Sequence, residues 1–400
     1  MAAAQTGGRD DRASLAGAAK DAAAAAVDDN LGALVELSRA IHDSPELAFE
    51  EERACGWTTE LLAEAGFEVH RGTAGMETAF VAEAGAGPMI LGICAEYDAL
   101  PFVGHACGHN LIAASAVGAG IGLLGCADEL GLSVRVIGTP AEEGGGGKII
   151  MLEAGVFDGV HAAMMVHPWP SDWLEGTCLA VSHFDVAFRG RAAHASASPF
   201  EGINAADAMV VAQVAIGLLR QQLVPGDQVH GVVTEGGGAA NVIPALVTGR
   251  FMCRSRTLEG LRALEPRVIA CFEAGALASG ATYERTDLAP VYSHMVSHPG
   301  LLAHYRANAE RLGRSFDDDK GVPRPSFSTD MANVSLAVPT IHPLVGLDAH
   351  GAVNHQPEFA AACVTLSAET ALRDGAVSLA WTAIDAATDE GLRAELLGAG

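Results

Sequence analysis

The stretch MILGICAEYDALPFVGHACGHNLIAASAVGAGIGLL, residues 89–124, decides the fold. It opens on the apolar run Met89–Cys94, with Gly-Pro before it and charge after it. It closes on Leu111–Leu124, an Ala- and Leu-rich helix by composition and length. An apolar strand without polar alternation is one buried on both faces, as in a parallel sheet covered by helices. Val134–Gly138 (VRVIG) and Ala163–Val166 repeat the pattern. Strands of this kind alternating with helices predict a layered α/β domain around a mostly parallel sheet. Upstream, Leu31, Leu34, Leu37 and Ile41 recur at helical spacing, and Pro45 separates them from a second helical run ending near Gly66. Residues 1–25 read as a frayed tail or a partial helix.

The character changes near residue 180. Leu179–Arg189 alternates, as a half-exposed strand does. A helix over Asn204–Gln222, strands near 229–234 and 245–253, a helix over Leu258–Ser279 and a strand near Thr282–Asp287 follow. The order β-α-β-β-α-β is the ferredoxin-like unit. It predicts a domain over 183–290 inserted into a domain built from 1–182 and 291–400. A long Ala-rich helix is expected from Glu358 onward.

Length agrees with two domains, since 400 residues exceed one ordinary core. The formal net charge of -25 repels phosphate backbones and anionic lipid heads, which excludes nucleic-acid and membrane-surface binding. The chain has only three lysines, Lys20, Lys148 and Lys320. Its eight cysteines form no CxxC pair and sit mostly in apolar runs, the pattern of buried free thiols in a reducing compartment. The N-terminal residues lack a basic segment leading into an apolar core, so the expected location is cytoplasmic.

Three polar clusters follow strand-like runs, where sites collect in open α/β sheets. In ICAEYDALPFVGHACGHN (93–110), His105, Cys107 and His109 alternate downstream of Asp98. Thiolate and imidazole suit zinc, and imidazole also suits manganese. In GTPAEEGGGGK (138–148), Glu142 and Glu143 precede four glycines, which permit close backbone approach to a ligand. In MMVHPW (164–169), His167 ends an apolar run. His355, in GAVNHQPEF, precedes a helix and is a fourth candidate. Taken singly, each has a bland alternative: a glycine turn, a solvated acidic turn, a core histidine. Their recurrence at successive strand ends favours a site.

At this point the chain resembles the dinuclear-metal peptidase and aminoacylase family. Its nearest branch holds indole-acetyl-amino-acid hydrolases, aminobenzoyl-glutamate hydrolases and β-alanyl-lysine dipeptidase-type proteins. The matching segments, in family order, are EYDALPFVGHACGHNLIA, GTPAEEGGGGK, MMVHP, GRAAHASASP, GGGAANVIP, STDMANVS and NHQPEF. The resemblance implies a metallopeptidase-like catalytic domain with an inserted ferredoxin-like lid and dimerisation domain. It implies two divalent ions per subunit, Zn or Mn, held by Cys107, His109, Glu143, His167 and His355. Glu142 matches the general base, and Asp98 a group that orients a ligand. His194 matches a histidine that reaches a neighbouring subunit's site in a homodimer. Asn241 matches a substrate-binding residue, and Arg254, with Arg256 as its alternative, an arginine that holds a substrate carboxylate. Many relatives carry a histidine where this chain has Glu96. Residue His105 is assigned to packing.

The implied reaction is hydrolysis of an amide or peptide bond in a small substrate: an N-acyl amino acid, aminobenzoyl-glutamate or a dipeptide. Metal-activated water attacks, and Glu142 moves the proton. Two other readings are a cysteine hydrolase built on Cys107 and a metal-stabilised peptide-binding protein without chemistry.

Overall fold

The computed structural model describes residues 4–399. Two compact units emerge. One runs to Thr177 and resumes over Met295–Ser326 and from Asp330; the other is Cys178–His294 with Phe327–Thr329.

The first unit is built on a six-stranded sheet. Its order is Glu68–Arg71, Phe80–Ala84, Leu132–Gly138, Met89–Ala95, Ala162–Met164 and Thr340–Ile341. The first two strands pair antiparallel, as do the second and third, and the remaining pairs are parallel. This is the mostly parallel sheet expected from the apolar runs. Its strands feed two cores. Leu91, Ile93, Leu132, Val134 and Val136 face one; Cys94, Ile137, Ala163 and Met165 face the other. Removing a Leu or Val side chain of this kind from water stabilises the fold by roughly 1.5–3 kcal/mol.

The helix His109–Leu124 is buried on nearly every side. Its small residues explain how. A Cβ at Gly118 would lie 2.9 Å from Leu34 Cδ1, and one at Gly120 2.7 Å from Val136 Cγ2. Glycine lets this helix sit against the helix Ala4–Asp43 on one side and the sheet on the other.

Of the two readings of residues 1–25, the helical one holds, and the expected C-terminal helix changes. The tail over 1–25 is helical from Ala4, and its first three residues lie outside the described ones. Leu15, Ala16, Ala19, Ala23 and Val27 pack into the core, and Lys20 is held by Asp385 at 2.6 Å and Asn308 at 2.8 Å. Small alanines anchor this helix where their weak hydropathy suggested fraying. The C-terminal helix is also not continuous. It is split into Pro357–Ala362, Leu366–Thr388 and Glu390–Ala399, with Thr365 capping the second piece.

The second unit follows the β-α-β-β-α-β order. Its strands Ala180–Arg189, Gln228–Glu235, Leu246–Ser255 and Thr282–Asp287 form one antiparallel sheet, with the fourth beside the first and the third beside the second. The helices Ala205–Leu219 and Leu258–Ser279 cover one face. Phe184, Phe251 and Phe272 fill the space between, with the Phe251 and Phe272 rings 4.8 Å apart. All eight cysteines are buried and free. Among the described residues, no helix is long and apolar enough to cross a membrane.

Candidate metal centre

Four parallel strands end side by side, and each leads into polar residues. Ala95 leads to Glu96 and Asp98, Gly138 to Glu142 and Glu143, Met164 to His167, and Ile341 to His342. The carboxyl edge of the sheet thus gathers the clusters that lie far apart in sequence.

Cys107 and His109 flank Gly108, whose φ of 79° turns the chain into its helix. The Cys107 Sγ lies 3.5 Å from His167 Nε2 and 3.6 Å from His355 Nε2. His355 reaches this point from a left-handed backbone position, φ 71°, pinned by its N–H donating to the Ala106 carbonyl at 2.8 Å. Asp98 organises the next layer. Its Oδ1 pairs with His109 Nδ1 at 3.0 Å, and its Oδ2 accepts the Glu143 N–H at 2.9 Å. One carboxylate therefore orients an imidazole and the acidic turn together. His167 Nδ1 pairs with the Pro168 carbonyl at 2.9 Å. Both rings are thus anchored through Nδ1 and present Nε2, the arrangement typical of ligating histidines.

His109 Nε2 faces Glu96 Oε2 at 3.5 Å, and Glu142 Oε2 and Glu143 Oε1 at 3.9 Å each. Glu143 Oε1 also lies 3.7 Å from His355 Nε2. Donor atoms converge in overlapping groups: Cys107 with His109 and His167, Cys107 with Glu143 and His355, and His109 with Glu142 and Glu143. Within each, the atoms lie within 4.8 Å of one another.

The fit to a cation rests on atoms that the fold leaves unsatisfied. Glu96 Oε2, His109 Nε2 and Glu143 Oε1 are buried without a hydrogen-bond partner. Each such group costs about 1–3 kcal/mol unless something binds it. Imidazole, carboxylate and thiolate together match a borderline divalent ion.

The electrostatics agree. Burial, with Glu96 and Glu143 nearby, pushes the Glu142 carboxyl well above its ordinary range. Burial also raises Glu143, against the pull of His109. For His109 burial opposes the charge, but Asp98, Cys107 and Glu96 together outweigh it and raise the imidazole. Burial and Glu143 push the Cys107 thiol up. A nucleophilic cysteine needs the opposite shift, so the protein environment disfavours the cysteine-hydrolase reading.

The remaining candidates fall as follows. Glu142 joins the acidic side of the cluster, within 4.8 Å of Glu96 and Asp330. His105 is buried, its ring lies tilted 6.3 Å from that of His42, and it joins none of these groups. Burial, then His109, pushes it down to about 3. The glycines after Glu143 serve the turn itself. Gly145 and Gly146 donate to the Ala141 carbonyl, and a Cβ on Gly147 would lie 1.9 Å from the Pro140 carbonyl oxygen. At Gly147 the close approach is to the chain's own backbone, and at Gly145 to the Phe49 ring.

In the second unit, His194 and Asn241 lie on paired extended segments, with His194 bridged to Val242 and Ala195 donating to the Asn241 carbonyl at 2.9 Å. Both are exposed. His194 Nδ1 accepts from the Ala197 N–H at 3.2 Å, which leaves Nε2 as the proton-bearing donor. Arg254 is half-buried and donates to Ser328 Oγ at 2.8 Å. Among the described residues it has no carboxylate partner. Arg256 is exposed and lies over Gly226.

Lys148, Asp330, Glu51 and His342 also stand at the centre, and the sequence reading gave none of them a role. Lys148 and Asp330 lay inside GTPAEEGGGGK and STDMANVS, where a buried charge leaves no periodic signal.

Fold and site together define a two-domain metallohydrolase. The sequence profile of peptidase family M20/M25/M40 matches residues 94–373. The chain is 38% identical to a mouse Xaa-Arg dipeptidase over 400 aligned residues, covering 94% of this chain and 91% of that one. It is 32% identical to one of the subunits of the Escherichia coli p-aminobenzoyl-glutamate hydrolase, over 62% of this chain and 56% of that one. The same fold occurs in an aminohydrolase-like protein from methicillin-resistant Staphylococcus aureus, with a TM-score of 0.74 and 22% identity over 92% of this chain and 99% of that one. It recurs in a dinuclear metal binding M20 peptidase from Bacillus subtilis, with a TM-score of 0.67 and 24% identity over 89% and 98% of the two chains. The chain belongs to peptidase family M20/M25/M40. It is a metal-dependent enzyme that hydrolyses amide or peptide bonds, which sets aside the non-catalytic reading.

Proposed function

We propose that the substrate is a dipeptide or N-acyl amino acid with a free carboxylate, cleaved at its amide bond by water. One observation carries this reading: the donor atoms of Cys107, His109, Glu143, His167 and His355 fall into two groups that share Cys107, each with its atoms within 4.8 Å of one another. Cys107, His109 and His167 would hold one divalent ion, and Cys107, Glu143 and His355 a second, either zinc or manganese. When bound, such ions polarise a carbonyl and acidify water.

The chain's own residues do the rest. Glu142 takes the proton from the attacking water and returns it to the leaving amine. Its raised proton affinity suits a group that must both accept and donate near neutral pH. Asp98 keeps His109 in the tautomer that turns Nε2 inward. His194, with Nδ1 occupied, offers its Nε2 proton to the carbonyl oxygen as charge develops there. Asn241 assists in substrate binding. Arg254, a partly buried guanidinium lacking a carboxylate in an acid-rich chain, binds the substrate carboxylate bidentately.

His194 acts across a homodimer formed through the inserted domain, and the enzyme works in the cytoplasm. An edge strand, Gln228–Glu235, and an exposed apolar stripe, Val210, Val214 and Leu218, support pairing there. The mouse and E. coli relatives favour a dipeptide or an aminoacyl-type amide as substrate. The test is a screen of dipeptides, N-acyl amino acids and aminobenzoyl-glutamate, on enzyme stripped by chelator and reloaded with manganese or zinc. Hydrolysis should vanish on stripping and return on loading. Full activity in protein shown by elemental analysis to be metal-free refutes the proposal.

A further inference from the structure

The segments GTPAEEGGGGK and STDMANVS each supply a buried charge that stands outside the groups built on Cys107. Lys148 is fully buried. Its Nζ lies 2.5 Å from Glu96 Oε1 and 2.7 Å from Asp330 Oδ1. Its backbone N–H donates to Asp330 Oδ2 at 2.9 Å, so Asp330 holds the residue at both ends. Glu96 Oε1 is committed to this ammonium, while Glu96 Oε2 is buried without a hydrogen-bond partner and turns toward His109 Nε2.

The three carboxylates here have the spacing of a metal cage. Oxygens of Glu96, Glu142 and Asp330 lie within 4.8 Å of one another, all from buried residues. An ammonium bonded to two of them stands where a cation is called for. Charge points the same way. Glu96, Asp98, Glu142, Glu143 and Asp330 crowd carboxylates at the centre, and Lys148 brings an ammonium among them. Without the lysine the cluster is left with surplus negative charge in a setting where water does not screen it.

We infer that Lys148 is a resident cation, filling a pocket formed by Glu96, Glu142 and Asp330 that would otherwise take a further divalent ion. The lysine therefore sets the metal capacity of the centre and keeps Glu96 as a wall of the site. This deepens the metal-centre reading above and rests on it.

The test counts ions. Wild type, Lys148→Ala and Lys148→Ala/Asp330→Ala are stripped with chelator, loaded with Mn²⁺, freed of excess by gel filtration and analysed for metal. Lys148→Ala should carry one ion per subunit more than wild type. The double variant should lose that extra ion, because all three of the pocket's walls are needed to hold it. Equal metal content in wild type and Lys148→Ala overturns the inference, and so does an extra ion that survives in the double variant. Should Lys148→Ala be unfolded when stripped, recovery of its native circular dichroism on adding Mn²⁺ supports the inference, and failure to recover overturns it. A wild-type protein that binds no ion at all would sink the metal-centre reading itself, which separates the two failures.

Discussion

Glu51 offers a measurable consequence of building a metal centre from buried acids. It is fully buried, and its Oε1 accepts the Ala141 N–H at 2.9 Å, one residue before Glu142. Ala141 holds a left-handed φ of 60°, unusual outside glycine, so this hydrogen bond steadies the turn that carries both glutamates. Burial, reinforced by Asp98, pushes the carboxyl from 4.5 up to about 7. The folded protein thus binds this proton more tightly than the unfolded chain does. The stability so contributed is full below about pH 4.5 and is lost as pH rises through 7. The shift is worth about 3 kcal/mol, at 1.36 kcal/mol per unit. Glu51→Gln keeps an oxygen for the Ala141 N–H and has no charge to desolvate. In denaturant unfolding of metal-free protein, the variant should exceed wild type by about 3 kcal/mol at pH 8 and by less than about 1 kcal/mol at pH 5. Every other titrating group is common to both proteins, so their difference isolates Glu51. A difference that is the same at pH 5 and pH 8 refutes the reasoning.

Glu142→Gln should keep its metal while turnover falls by about 10²–10⁴, since only the proton shuttle is lost. Glu143→Gln should weaken metal binding by about tenfold or more, because an amide is a poorer ligand; equal metal loss in both variants, by titration, contradicts the division of roles. Arg254→Met should raise KM on carboxylate-bearing substrates by about 10²-fold and leave substrates with a blocked carboxylate unaffected. A uniform loss on both kinds would show that Arg254 does not read the carboxylate. Inactive His194→Ala and Glu142→Gln subunits, allowed to exchange, should recover up to about a quarter of wild-type activity, because half of random dimers are mixed and each has one whole site. No recovery after proven exchange rules out action across the dimer.

Much of the architecture was readable because burial writes itself into sequence. Met89–Cys94 is apolar without alternation, and the strand Met89–Ala95 is covered on both faces. Leu179–Arg189 alternates, and the strand Ala180–Arg189 has one face on a core. Cys107, His109, Glu142, Glu143 and His167 stand out in sequence because they follow strand-like runs, and the parallel sheet brings those strand ends together; His355 stands out only as a histidine before a helix. What the sequence hid was long-range. The pairing of Lys148 with Asp330 spans 182 residues and no periodicity marks it. Lys20, held by Asp385 and Asn308, is equally silent, which is why an Ala-rich segment resembled a loose tail. The fit of Gly147 against the Pro140 carbonyl is equally hidden, because a glycine that fits its own turn looks in sequence like one that fits a ligand.

The burial of two lysines bears on how the protein can be handled. Lys20 and Lys148 are both shut away in ion pairs, and only Lys320 is exposed, at the end of the short 3₁₀ turn Asp317–Lys320. Guanidinium groups do not react with the activated esters used to label amines. Among lysine side chains, then, an ester dye or an activated bead finds one address on each folded chain. With the α-amine blocked beforehand, coupling through it fixes every molecule to a surface by the same point, and a second or third dye per chain reports that Lys20 or Lys148 has been laid open by unfolding.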